Sequence, residues 1–175
     1  MRLATIQREQ TAVELIRRGM RISVVSRVTD FSPQVLRSLS RQIHGQIIGA
    51  GPLPSSGRML IKRATQATAS LFAALYQIEG GNGIFDAINL EALLSAHAFY
   101  LELSKDLSAQ GLQSAPIDIT RAWILARDLR TGVAFFRYCK PCRIHYLHTE
   151  DLRVPSGCPV CALKRQDVAR TRQGR

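Results

Sequence analysis

The four cysteines are the feature that most constrains how this chain can fold. They are its only cysteines and form two C-x2-C pairs separated by fifteen residues: Cys139, Cys142, Cys158 and Cys161. This spacing is typical of a zinc site with four thiolate ligands. Such a site is closed, because it leaves no coordination position for water or substrate. The sequence therefore predicts one structural Zn²⁺ per chain and argues against metal catalysis.

Two disulfides are the alternative use of these cysteines. Disulfides need an oxidising compartment, whereas the first nineteen residues are charged and contain no continuous apolar run of the kind found in a secretory signal. No stretch approaches the roughly 18 consecutive apolar residues of a membrane span. We therefore expect an intracellular protein, without membrane contact, in which the thiols are reduced. His145 and His148 lie between the pairs and are expected not to be ligands, because four thiols already complete a tetrahedron.

Charge is the second constraint. The chain has 24 lysine and arginine residues against 13 acidic ones, a net charge of +11. Residues 1–45 hold eight arginines against three acidic residues, and residues 137–175 hold nine basic residues against three, so the two ends carry the whole excess. Neutralising phosphates releases condensed counterions, which makes nucleic acid a candidate partner. The alternative is that this charge serves only solubility.

Residues 1–45 are predicted to form a basic helix-turn-helix-like segment. An amphipathic helix covers residues 4–18, and a short helix with Ile22 and Val25 facing inward leads to a turn at residues 29–31. Two short helices joined by a tight turn are an arrangement that many proteins use to bind DNA. An ordinary helical hairpin would give the same pattern.

The last helix of this segment has clear signals at both ends. Ser32 is a favourable N-cap, Pro33 suits the first helical position, and Gly45 suits the residue that ends the helix. Four apolar residues at helical spacing are predicted to face inward: Val35, Leu36, Leu39 and Ile43. The opposite, exposed side is the candidate DNA-contacting surface and consists of four polar residues: Gln34, Arg37, Ser38 and Arg41.

The rest of the chain is predicted to be mainly α-helical, with a small zinc ribbon-like module at its C-terminal end. Four segments follow the first: a Gly/Pro linker at 46–58, a helical core and candidate partner interface at 59–132, a four-cysteine zinc module at 133–163, and a basic tail at 164–175. Helices are expected at 59–79, 84–107 and 117–131, and strands at 133–138 and 143–148. We expect the tail to be disordered in the free protein. Lys164 and Arg165 are its candidate DNA contacts.

The sequence holds no catalytic signature. It contains no glycine-rich phosphate loop, nucleophile elbow or paired metal-binding carboxylates. His97 lies on a predicted helix with no second ligand at helical spacing, so we expect it to be a core or surface histidine. Trp123 is expected to anchor packing between helices. These observations predict that the protein is not an enzyme.

These features, in this order, resemble the flagellar transcriptional activator FlhC family. The segments that carry the resemblance are AVELIRRGMRISVVSRVTDFSPQVLRSLSRQIHG, GPLPSSG, ITRAWILARDLRTG and the two cysteine pairs. The resemblance implies a structural zinc on the four cysteines and a small helical partner like FlhD, in a hetero-oligomer of four D and two C subunits. It also implies activation of flagellar operons, on double-stranded promoter DNA and with RNA polymerase, in the bacterial cytoplasm.

Two segments depart from the family pattern and leave an alternative open. The stretch MLIKRATQATAS stands where the family has an aromatic-rich segment, and the loop between the cysteine pairs also differs. The alternative is a zinc-containing interaction scaffold, or a divergent paralogue, that binds the partner without promoter-specific DNA binding. An RNA-binding zinc ribbon is disfavoured, because aromatic residues make up only 6% of the chain and single-stranded RNA is recognised largely by stacking on aromatic rings.

Overall fold

A computed structural model describes residues 2–49, 52–109, 116–151 and 157–173. Over these ranges the protein is mainly α-helical, as predicted, with one two-stranded sheet. The described helices are α1 (Arg2–Arg17), α2 (Ile22–Thr29), α3 (Pro33–His44), α4 (Ser56–Met59), α5 (Arg63–Gly80), α6 (Leu90–Ala109), α7 (Ile119–Arg130) and α8 (Pro159–Gln173). The strands are β1 (Ala134–Cys139) and β2 (Ile144–Thr149), which pair antiparallel. None of the helices in the described ranges is long and apolar enough to cross a membrane.

The chain divides into two compact units. The first comprises Met1–Leu53 together with Asp118–Thr120, and the second comprises Pro54–Ile117 together with Arg121–Arg175. In the first unit α1, α2 and α3 pack against one another. Their contact surface is apolar and includes Leu15, Ile16, Met20, Val24, Val25 and Leu36, all fully buried. The end of α3 is tied to α1 by a hydrogen bond of 2.8 Å between His44 Nε2 and the carbonyl of Ile16.

Both ends of α3 are formed as the sequence predicts. The Ser32 hydroxyl accepts a hydrogen bond from the backbone N–H of Val35, and Pro33 occupies the first turn. At the other end Gly45 has a φ of 70° and donates its N–H to the carbonyl of Arg41 at 2.8 Å. Glycine suits this left-handed position because it has no Cβ to clash with the backbone.

One prediction about the inward face of α3 is wrong. Val35 is 56% exposed, whereas Leu36 and Ser40 are completely buried. Ser40 donates its hydroxyl to the carbonyl of Gln46 at 2.9 Å and accepts the N–H of Ile48 at 3.3 Å. Consecutive residues lie about 100° apart around a helix, so a face centred on Leu36 and Ser40 turns Val35 outward. A polar residue takes the inward position because it binds the chain that follows the helix.

In the second unit α5 and α6 pack together, and β2 and α8 both contact α5. Its core includes Phe72, Tyr76, Leu93, Tyr100, Ile124 and Leu125, all fully buried. Trp123 is 2% exposed, in line with its predicted packing role. His97 is confirmed as a core histidine: it is 5% exposed, its ring lies against Phe72 and Tyr100, and its Nε2 makes a 2.8 Å hydrogen bond with the carbonyl of Ile117.

Two predicted helices begin later than the sequence suggested. The helix expected at 59–79 starts at Arg63, because α4 forms a separate turn before it, and the helix expected at 84–107 starts at Leu90. Ile84 is buried in a short 3-10 segment, Gly81–Phe85, that precedes α6. The start of α6 is fixed by Asn89, whose Oδ1 accepts the N–H of Ala92 at 3.0 Å. This N-cap is a sequence signal that the apolar periodicity concealed.

The expectation of a disordered tail is also wrong within the described residues, because α8 continues from Pro159 to Gln173. The helix begins directly after Cys158, and its sequence contains Ala, Leu, Lys, Arg and Gln, which are good helix formers. The high positive charge of the tail was therefore not enough to predict disorder, because a solvent-exposed helix can carry the same charge.

Gly45→Ala is expected to destabilise the first unit by about 1–2 kcal/mol, because an L side chain in the left-handed region costs about this much. Gly83→Ala is the matched control. A Cβ would meet nothing within 4 Å at either position, but only Gly45 has a positive φ. Urea unfolding followed by helical circular dichroism measures both changes. Equal effects of the two substitutions would contradict the assignment of the loss to backbone conformation.

Candidate functional site

The two cysteine pairs are carried by different kinds of local structure. Cys139 is the last residue of β1, and Cys142 lies in the turn that leads into β2. In that turn Arg143 has a φ of 56° and donates its N–H to the carbonyl of Cys139 at 2.8 Å. Cys158 immediately precedes α8, and Cys161 lies in its first turn. A strand-to-turn corner and a helix N-terminus thus present the four sulfur atoms.

The four sulfurs converge on one point. All lie within 4.8 Å of one another. The distance is 3.1 Å between the sulfurs of Cys142 and Cys161, 3.7 Å between those of Cys139 and Cys161, and 4.0 Å between those of Cys142 and Cys158. A tetrahedral zinc with Zn–S bonds of about 2.3 Å would place its ligands about 3.8 Å apart. The thiols are free, far outside the roughly 2.05 Å of a disulfide bond. Their arrangement therefore fits a four-coordinate metal ion.

The electrostatics of the cluster differ from one thiol to the next. A hydrogen bond from the backbone of Cys142 lowers the pKa of Cys139. The hydrogen bond to Cys161, followed by burial, raises the pKa of Cys142 to about 12. Burial raises the pKa of Cys158. Four thiols in one place resist joint ionisation, and a bound divalent cation would supply the charge that stabilises the thiolates.

Among the described residues, apolar side chains pack against the sulfurs, and the group able to hold a metal includes neither His145 nor His148. Tyr146 and Val160 pack against the cysteines. The ring of His145 lies 5.1 Å from that of Tyr138, and the ring of His148 lies 5.3 Å from that of Phe135. Burial, with the nearby charge of Arg137, lowers the pKa of His148 and favours its neutral form. Within the described residues, the group able to hold a metal consists of the four cysteines.

The candidate DNA-contacting residues are all exposed but fall on two separate units. Gln34, Arg37, Ser38 and Arg41 lie on α3 in the first unit, and Lys164 and Arg165 lie on α8 in the second. On α3 the polar residues recur at spacings of three and four, so they share one face of the helix. Arginines on an exposed helix face can donate two parallel hydrogen bonds to a phosphate or a guanine.

Three polar residues of α5 contact the cysteine-bearing segments, although no sequence motif marked them: Arg63, Gln66 and Ser70. The signal was present for Gln66, a polar residue at a position where helical spacing places the chain's core. Its partner could not be identified, because that partner lies 81 residues further along the chain.

Comparison with known proteins gives one consistent family. Residues 3–174 match the family model described as flagellar transcriptional activator (FlhC). A flagellar transcriptional regulator FlhC from Gallionella capsiferriformans is 30% identical over 162 residues, which cover 91% of this chain and 85% of that protein. The FlhC from Enterobacter cloacae is 27% identical, covering 97% of this chain and 89% of that protein. The FlhC from Proteus mirabilis is 26% identical, covering 87% and 75%.

Cys158→Ser is expected to reduce bound zinc from about one ion per chain to almost none after dialysis against a chelator, because a site with three thiolates loses both charge and closure. Elemental analysis measures the zinc, and amide exchange of residues 134–149 reports whether the hairpin stays folded. His145→Ala is the control, since this histidine lies between the cysteine pairs in the sequence and is not part of the metal-binding group. Retention of stoichiometric zinc by the Cys158→Ser protein would contradict the four-cysteine assignment.

Proposed function

The chain belongs to the FlhC family of flagellar transcriptional activators, and from this premise we propose that it is a DNA-binding subunit of a zinc-containing activator of flagellar operons. It is a transcriptional regulator by family, and we propose no enzymatic activity for it. Its proposed partner is a small FlhD-like helical protein, in an assembly of four partner subunits and two copies of this chain. The assembly would bind double-stranded promoter DNA in the bacterial cytoplasm and act with RNA polymerase.

The exposed polar face of α3 is the observation that carries the proposal of DNA binding. α2 and α3 are joined by a tight turn in which Asp30 adopts a left-handed φ of 58°. In helix-turn-helix proteins the second helix enters the major groove and contacts base edges with residues near its N-terminus. Gln34 and Arg37 occupy the first turns of α3, and Arg41 follows one turn later on the same face. Gln and Arg are residue types that form paired hydrogen bonds with adenine and guanine.

The proposed zinc has a structural role. The residues that would hold it are Cys139, Cys142, Cys158 and Cys161, and it would cross-link the hairpin to the start of α8. Beyond the cysteines, the apolar cluster around the site contains Tyr146 and Val160, which is little apolar surface for a stable core. Because β2 and α8 both contact α5 in the second unit, the zinc would stabilise the link between these two elements rather than form a separately folding module.

The alternative is a partner-binding scaffold without promoter-specific DNA binding. It is supported by exposed apolar side chains within the 59–132 segment: Ile78 on α5 is 76% exposed, and Phe99 on α6 is 53% exposed. Apolar residues scattered singly over a surface are common in soluble proteins. This support is therefore weaker than that from the α3 face, and a partner interface on this segment is compatible with DNA binding elsewhere.

Arg37→Ala and Arg41→Ala are each expected to weaken promoter binding by about 1–3 kcal/mol, and binding to unrelated DNA by less, if their guanidinium groups contact bases. Arg58→Ala, which removes an exposed arginine from α4, is the control. Fluorescence anisotropy on flagellar promoter DNA and on scrambled DNA measures both affinities. An equal loss on the two DNAs would restrict these residues to phosphate contacts.

Gel-shift assays separate the proposed function from its alternative. The unaltered chain, with and without a co-expressed FlhD-like partner, is titrated against promoter DNA over a salt series. We expect specific complexes whose affinity falls steeply with salt, because phosphate neutralisation releases counterions. Stable assembly with the partner but no preference for promoter DNA at any salt concentration would favour the scaffold.

A further inference from the structure

Three polar side chains of α5 lie along one face of the helix, because Arg63, Gln66 and Ser70 follow one another at spacings of three and four residues. Gln66 is completely buried and Ser70 is 7% exposed, among apolar neighbours such as Phe72. Burying a polar side chain is costly unless it is hydrogen-bonded. The hydrogen-bond partners of these residues therefore indicate what they do.

Gln66 and Ser70 hold both backbone polar groups of Leu147 in β2. Gln66 Nε2 donates to the carbonyl of Leu147 at 3.0 Å, and the N–H of Leu147 donates to Ser70 Oγ at 2.9 Å. A two-stranded sheet has outer backbone groups that a third strand would otherwise satisfy. Here two side chains of α5 take the place of that strand. Leu147 pairs with Phe136 in β1, and β1 ends at Cys139, so α5 fixes the hairpin that carries the first cysteine pair.

Arg63, on the same helix, contacts the backbone next to the second cysteine pair. Its Nη1 donates to the carbonyl of Gly157 at 2.9 Å, and Gly157 immediately precedes Cys158. The same Nη1 donates to Gln66 Oε1 at 2.9 Å. Gln66 therefore has both ends of its amide engaged, one with Arg63 and the other with Leu147. A single buried amide links the contact to the first pair with the contact to the second.

We propose that Arg63, Gln66 and Ser70 are positioning residues for the metal centre, which set the separation of the two cysteine pairs through backbone contacts to Leu147 in the hairpin and to Gly157 beside Cys158. The inference depends on the zinc assignment under Proposed function. Fifteen residues, among them those of β2, separate the pairs, and fixing the two pairs relative to one another costs conformational entropy. Because α5 holds the backbone at Leu147 and at Gly157, that entropy is lost when the unit folds, and zinc meets a prearranged site.

Ser70→Ala and Arg63→Ala test the proposal in the full-length chain. Each removes one contact to one pair and leaves all four thiols in place. Zinc affinity is measured by competition with a chelator of known affinity, and we expect it to fall about tenfold in each variant, the scale of loss when outer partners of a metal site are removed. Thr68→Ala is the matched control: both hydroxyls are buried and donate within α5, Thr68 to the carbonyl of Thr65 and Ser70 to that of Gln66, but Ser70 also accepts the N–H of Leu147.

Two further readouts distinguish positioning from general stability. Amide exchange at Leu147 is expected to accelerate at least tenfold in Ser70→Ala, which loses the acceptor for that N–H, and to change little in Thr68→Ala. When zinc is withdrawn slowly by chelator, alkylation mapped by mass spectrometry is expected to reach Cys158 and Cys161 first in Arg63→Ala. Arg63→Lys, which keeps a donor for Gly157, is expected to recover part of the affinity.

The outcomes separate the zinc site from the positioning role of the three α5 residues. If the unaltered chain binds no zinc, both the zinc assignment and the positioning role are wrong. If the unaltered chain binds zinc and both variants keep its affinity, the positioning role is overturned while the zinc site stands. If Ser70→Ala loses its helical circular dichroism signal, the test rests on Arg63→Ala, which changes a partly exposed residue. A tenfold loss of zinc affinity in Arg63→Ala supports the proposal, and an unchanged zinc affinity overturns it.

Discussion

The convergence of four sulfur atoms is the interaction on which the C-terminal part of this protein depends. It joins a hairpin corner to a helix N-terminus, two elements with little apolar surface of their own to share. Four thiolates within 4.8 Å of one another would repel, and the hydrogen bond to Cys161 together with burial raises the pKa of Cys142. A divalent cation would resolve this conflict, because it would attract all four thiolates at once. With four thiolate ligands such an ion would have no coordination position left for a reactant, so the centre would hold structure rather than catalyse.

α5 combines two kinds of packing that are often found on separate elements. Apolar residues such as Phe72 and Ala73 face the helical core of the second unit, while Gln66 and Ser70 satisfy the backbone of β2. Replacing either polar residue by an apolar one would leave a buried N–H or C=O without a partner, which costs more than the hydrogen bond contributes when it is made. The hairpin is consequently an extension of the helical unit, even though its composition reads as a separate module.

Local signals made part of this structure predictable. The caps of α3 need only Ser32, Pro33 and Gly45, because each acts on backbone groups within about four residues. The cysteine cluster was predictable for another reason, because the residue type and the spacing within each pair are enough to indicate a metal site. Features that depend on tertiary neighbours were not readable. The outward turn of Val35 follows from the choice of Ser40 as an inward residue, and the bond between Gln66 and Leu147 spans 81 positions. No periodicity encodes such a pair.

Different interactions fix the basic residues at the two ends of the chain. The polar face of α3 depends on caps and on a small apolar core in the first unit, none of which involves the cysteines. Lys164 and Arg165 instead lie one turn beyond Cys161, on a helix whose first turn belongs to the cluster. If zinc closes that cluster and these residues contact DNA, removal of the metal would weaken their contribution without any bond between zinc and DNA. The α3 contribution would persist, because its geometry is set within its own unit. Removal of the metal would therefore reduce DNA affinity only in part. The affinity that remains would measure the contribution of α3 to DNA binding.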